Sequence, residues 1–137
     1  MCGRFAQVIK HDQLQKLSKE LKFRITTDQL ELSYNVAPTQ PVMAIVAKDG
    51  LRYTGVFRWG LVPSWMKELP KTAIINVRAE SIHEKPSFKA SFIRRRTIVP
   101  VNGFYEWRNP DKTPHFIHSA KDDLLYLGAI YDVWESN

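Results

Sequence analysis

Val42-Met43-Ala44-Ile45-Val46-Ala47-Lys48-Asp49-Gly50-Leu51-Arg52-Tyr53-Thr54-Gly55-Val56-Phe57-Arg58-Trp59 is the stretch whose reading decides the fold class. The apolar run from Val42 to Ala47 is short and bounded by a turn, so it predicts a strand rather than a helix. Asp49-Gly50 is a preferred pair for a two-residue hairpin turn, in which both residues take positive φ. Leu51 to Trp59 is then expected to return as the partner strand. Upstream, Leu14, Leu17 and Leu21 recur at helical spacing among charged residues and predict a helix from about His11 to Leu21. A loop containing Tyr34-Asn35-Val36-Ala37-Pro38 separates that helix from the hairpin.

Downstream, Gly60-Leu61-Val62-Pro63-Ser64-Trp65 is a Pro-punctuated loop, and Ala73 to Glu80 predicts a short strand ending in polar residues. Pro86 to Arg95 is expected to form a short helix with Phe88 and Phe92 on one face. Three β-type segments follow, Thr97 to Val101, Phe104 to Arg108 and His115 to His118, and Leu124 to Tyr131 is the last strand. Asn109-Pro110-Asp111 and Lys121-Asp122-Asp123 supply turns. The predicted class is α+β with mostly antiparallel, hairpin-connected strands.

A length of 137 residues suits one domain and leaves no room for two independent cores. The apolar fraction of 44% and the charged fraction of 25% are those of an ordinary globular protein. No apolar run is long enough to cross a bilayer, and Met1-Cys2-Gly3-Arg4-Phe5 lacks the long apolar segment of a signal peptide, so a cytoplasmic location is expected. Twenty Lys and Arg against fourteen Asp and Glu give a net charge of +6. That balance suits either a polyanionic partner or a merely basic surface.

Cys2 is the single cysteine, so no internal disulfide is possible, and with four scattered histidines it makes no zinc pattern. A lone cysteine is usually a small apolar residue, but this one stands second in the chain. Removal of Met1 would leave an α-amine and a thiol on adjacent carbons. Both have reactive forms near neutral pH, with reference pKa values of about 7.7–8.0 and about 8.5. Such a 1,2-aminothiol condenses with an aldehyde, first as an imine and then as a five-membered thiazolidine. An internal cysteine cannot do this, because its nitrogen is held in a peptide bond.

Four further groups invite a chemical reading. In an alternating strand Asn76, Arg78 and Glu80 share a face, either as a solvated edge or as a donor and a phosphate grip beside a reacting group. Within Gly103-Phe104-Tyr105-Glu106-Trp107, Tyr105 and Trp107 take the face opposite Phe104 and Glu106. Glu106 is then either a surface residue or a carboxyl tuned by an apolar neighbour for proton transfer. Trp59 and Trp65 belong by default to a core, although Trp65 follows Pro63 in a loop from which it could stack on an unpaired base. Arg94-Arg95-Arg96 is a candidate phosphate contact or an ordinary solvated run.

Taken together and in order, Met1-Cys2-Gly3-Arg4-Phe5, Tyr34 to Pro38, Trp59-Gly60-Leu61-Val62-Pro63, Asn76-Val77-Arg78-Ala79-Glu80 and Gly103 to Trp107 resemble the SRAP (SOS response-associated peptidase) family. The resemblance runs from Met1 to about Trp134. It implies curved antiparallel sheets in a barrel-like core with flanking helices, and covalent crosslinking of abasic sites in single-stranded DNA. Cys2 would be the crosslinking nucleophile, Asn76 would position its amine or the sugar, and Glu106 would transfer protons. Arg4 and Arg78 would hold phosphates, and Trp65 would stack at the strand junction. The family name reflects a self-processing peptidase activity, the release of Met1. No cofactor or metal is implied.

The family also uses a histidine in an Ile-His-x-Arg-Met-Pro-like segment beyond its Glu-Trp motif. His11, His83, His115 and His118 lie in no such segment. The absent histidine weakens the implication for crosslink reversal and lyase activity more than for crosslink formation. The chain is accordingly expected to be the N-terminal and central part of such a domain, lacking its C-terminal portion. Leu124 to Tyr131, nearly all apolar, suits a strand covered on both faces and paired on both edges, so an open edge there would favour self-association. Two rival functions compete with this one. An N-terminal-nucleophile amidohydrolase of the glutamine-amidotransferase type also begins Met-Cys-Gly, but the only Asn-Gly pair here is Asn102-Gly103, in the wrong context. A DNA-binding module without chemistry would keep all function without Cys2.

Overall fold

The computed structural model describes residues 2–27 and 32–135. In chain order the elements are β1 (Arg4–Gln7), α1 (His11–Leu21), β2 (Ser33–Val36), β3 (Pro41–Lys48), β4 (Leu51–Arg58), α2 (Pro86–Arg94), β5 (Arg96–Val101), β6 (Gly103–Trp107), β7 (Pro114–His118) and β8 (Leu125–Ile130). A single 3-10 turn, Ala79–Ser81, precedes α2. The strands form two four-stranded antiparallel sheets, ordered β2-β1-β6-β7 and β4-β3-β5-β8. The α+β class and the antiparallel pairing are as the sequence predicts. The sheets stay separate and unclosed, however, so the barrel-like part of the expectation is looser than what forms.

The hairpin is set by its turn. Lys48 pairs with Leu51, leaving Asp49 (φ 52) and Gly50 (φ 76) as the two turn residues, the positive-φ pair of a type I′ turn. From Val42 to Val46 every residue of β3 is buried, because both faces of the strand are covered. Val42 and Ala44 join Phe5, Val36, Val99 and Val101 in one apolar cluster. Met43 and Ile45, on the other face, pack with Ile9, Leu14, Leu17 and Phe23 beneath α1. That two-sided burial is why the run is continuous rather than alternating.

Gln7 joins the two sheets. Its side-chain amide donates to the carbonyls of Met43 (2.9 Å) and Pro100 (2.8 Å) and accepts from the Met43 N–H (2.8 Å). All three bonds are buried, so a buried polar side chain is satisfied while it bridges β1, β3 and β5. Gly103, at the start of β6, is required by space. A Cβ there would lie 2.5 Å from both the Ile117 carbonyl oxygen and the Phe116 ring.

Several expectations need correction. Tyr34 to Pro38 was expected as a loop, yet Ser33–Val36 is a strand paired with β1, and Arg4–Gln7 is a strand as well. Ala73 to Glu80 does not form a strand. Only Ile74 makes a ladder-type bridge, to Leu61, and the chain then turns into Ala79–Ser81. Glu80 therefore does not share a strand face with Asn76 and Arg78. By contrast, the open edge expected at the last strand is present among the described residues, since β8 pairs only with β5 and Tyr126 on it is 48% exposed. Strand β7 lies at the rim of the other sheet and is exposed along its whole length.

Candidate functional site

Cys2 leads into β1, which crosses beside β6 with Arg4 opposite Tyr105 and Phe5 opposite Phe104. Strand alternation then places Phe104 and Glu106 on one face and Tyr105 and Trp107 on the other. Phe104 and Cys2 both pack against the cluster containing Phe5 and Val99. Asn76, on the irregular segment after Ile74, donates from its side-chain amide to the Cys2 carbonyl at 2.8 Å. The Cys2 thiol donates to the Arg4 carbonyl at 3.2 Å.

The electrostatics tie in the third residue. Burial pushes the Cys2 thiol pKa above its ordinary value. A backbone hydrogen bond at Arg4 opposes that rise, and the negative charge of Glu106 adds to it. Cys2 and Asn76 thus meet at one corner, with Glu106 near enough for its charge to act on the thiol, although their sequence positions are far apart. Cys2 and Asn76 also line a cavity of about 710 Å³, whose wall is mainly apolar and includes Phe5, Trp59, Val99 and Leu127. Met1, on whose removal the aminothiol depends, lies outside the described residues.

No side chain of the remaining predicted residues is hydrogen-bonded to Cys2 or Asn76 among the described residues. Arg4 projects from the opposite face of β1 and donates to the Asn35 side-chain oxygen at 3.1 Å. Arg78 is exposed just ahead of the 3-10 turn. Trp59 belongs to the core, its ring 4.8 Å from that of Phe5 and its N–H directed at the Ile75 carbonyl. Trp65 does not, being 66% exposed on its loop. Arg95, in the candidate phosphate-binding run, pairs internally with Asp132, which leaves Arg94 and Arg96 as that run's exposed members.

Asn35 carried no role in the sequence reading, although it stands inside the Tyr34 to Pro38 motif. Its partner could be recognised only once β2 was paired with β1. Among the described residues no group of three or more His, Cys, Asp or Glu side chains could hold a metal ion, and no helix is long and apolar enough to cross a membrane.

The SOS response associated peptidase (SRAP) family model matches residues 1–137. The abasic site processing protein YoqW of Bacillus subtilis is 34% identical over 140 residues, covering 99% of this chain and 62% of that protein. The abasic site processing protein YedK of Escherichia coli is 31% identical over 134 residues, covering 95% and 59%. A crystal structure of a protein from Bacteroides thetaiotaomicron superposes with a TM-score of 0.81 at 26% identity, over 98% of this chain and 62% of that one. The chain therefore spans about three-fifths of the length of these relatives. On the strength of that match along its whole length, the chain belongs to the SRAP family.

Proposed function

We propose that this protein captures abasic sites in single-stranded DNA as a covalent adduct of Cys2, after releasing its own Met1. The observation that carries this is the Asn76 side-chain hydrogen bond to the Cys2 carbonyl, with the charge of Glu106 acting on the thiol of the same residue. The names of the relatives, abasic site processing proteins, point to the same lesion. A net charge of +6 suits a polyanionic partner.

The chemistry needs few parts. The freed α-amine adds to the aldehyde carbon of the ring-opened sugar and loses one water to give an imine. The thiolate then attacks the imine carbon, a C–S bond forms, and the nitrogen takes up a proton as the thiazolidine closes. Glu106 relays protons in these steps. Asn76 holds the Cys2 carbonyl and so fixes the residue whose two reactive groups must converge on one carbon. Arg4 and Arg78 contact phosphates, and Trp65 stacks on a base next to the lesion.

Intact-mass measurement tests this directly. Incubation with an oligonucleotide carrying one abasic site should give a heat-stable species heavier by the oligonucleotide less one water, from protein lacking Met1. Cys2→Ala, or an N-terminal extension that blocks the amine, should abolish it. An undiminished adduct from the extended protein would rule out the thiazolidine.

A further inference from the structure

Trp65 is exposed, yet its loop is held on both sides by the segment that follows β8. On one side, the Ser64 N–H donates to the Asp132 carboxylate at 2.9 Å. On the other, the Trp134 indole N–H donates to the Met66 carbonyl at 2.8 Å. Asp132 is itself fixed. Its side chain is only 6% exposed, and it also accepts from Arg95 and from the Val133 N–H. Arg95 is anchored in turn at the end of α2, its carbonyl accepting from the Tyr131 N–H at 3.0 Å. At the base of the loop Pro63 is fully buried, and the Met66 N–H donates to its carbonyl at 3.0 Å.

We infer that Asp132 and Trp134 are positioning residues that clamp the Trp65 loop, so that an exposed indole is presented already ordered to a base of single-stranded DNA. The inference rests on the stacking role proposed above for Trp65. An exposed aromatic on a free loop would lose conformational freedom on binding. A loop fastened at both neighbours of the aromatic has lost most of that freedom in advance. The carboxylate is suited to the task because a charged acceptor makes stronger bonds to N–H groups than a neutral one. Two side chains from the segment after β8 thus converge on the residues immediately before and after Trp65.

Reversible binding of an undamaged oligothymidine, followed by anisotropy, tests the clamp apart from the covalent chemistry. Trp65→Ala should raise Kd by roughly 5- to 150-fold, the range for one base–aromatic stack. Asp132→Asn and Trp134→Phe, which keeps the ring and removes only the donor, should each raise Kd by about 2- to 10-fold, as befits one lost hydrogen bond. In the Trp65→Ala background both should have almost no further effect, because the clamp then has nothing to present. Undiminished, additive losses in that background would overturn the inference, as would unchanged binding by Trp134→Phe in otherwise unaltered protein. Unchanged binding by Trp65→Ala would instead remove the stacking role itself, and the clamp with it.

Discussion

The Cys2 corner and the Trp65 loop face the same proposed ligand with opposite construction. The corner is built on strand register. The pairing of β1 with β6 places Cys2 near Glu106, and the thiol is buried enough for its pKa to rise. The loop lies outside regular structure, 66% of Trp65 meets solvent, and its order comes from side chains fastened to backbone groups. Bond formation gains from enclosure, where charges interact strongly. Capture of a flexible strand gains from exposed aromatic and cationic groups. The two regions should therefore answer to different measurements, the corner to the rate of adduct formation and the rim to reversible affinity.

The largest effect that could break this division is expected at Glu106. Glu106→Gln should slow adduct formation by roughly 10²- to 10⁴-fold, the usual range for a general acid–base group, and leave the Kd for undamaged single strand unchanged. The pH profile sharpens the point. With the thiol pKa raised, the thiolate fraction keeps growing with pH beyond the ordinary thiol range, so the rate should still climb on the alkaline side. Removing the negative charge of Glu106 removes one cause of that rise, so the residual rate should begin to climb at lower pH. A profile in Glu106→Gln that moves to higher pH would show that the carboxylate acts on the thiol in some other way.

Asn76 comes next in size. Loss of its bond to the Cys2 carbonyl should slow the adduct by roughly 2- to 10-fold, the worth of one hydrogen bond, again with no change in reversible affinity. A variant that bound undamaged strand more weakly while crosslinking at the normal rate would move Asn76 from the corner to the rim.

Much of the fold that positions this corner could be read from sequence because the relevant patterns were local. The positive-φ pair Asp49-Gly50 dictates the hairpin by itself, and period-two alternation put Phe104 and Glu106 on one face. Alternation failed at Ala73 to Glu80, where the apolar residues Ile74, Ile75 and Val77 turned out to flank a cavity rather than join a sheet. Asn76 still reaches Cys2, but from an irregular segment, and Glu80 drops out. Arg95 looked like any member of a basic run until the fold brought Asp132 to it. Contacts of that kind depend on which elements become neighbours, and no spacing in the sequence records them. Strand β2 was hidden for a related reason: two of its four residues, Tyr34 and Asn35, are exposed, so it shows little of a buried pattern.

The smallest effects concern the arginines of the rim, and they sharpen the comparison because charge and order can be separated there. Arg4→Ala and Arg78→Ala should each lower the slope of log K against log salt by about 0.7, the value for one phosphate contact to a single strand. Neither should alter the rate of adduct formation at saturating DNA. Asn35→Ala is the finer probe. It leaves every positive charge in place but releases the Arg4 guanidinium from its 3.1 Å partner. The number of displaced counterions is then unchanged, so the salt slope should stay where it was. Kd at any one salt concentration should rise by no more than about 3-fold, because only the ordering of one exposed side chain is lost. If Asn35→Ala flattens the slope as much as Arg4→Ala does, the guanidinium reaches phosphate only when Asn35 holds it, and the bond between them is a condition of contact rather than a refinement. If instead both arginine variants leave the slope intact and slow the adduct, Arg4 and Arg78 belong to the chemistry of the Cys2 corner, and the division between corner and rim fails.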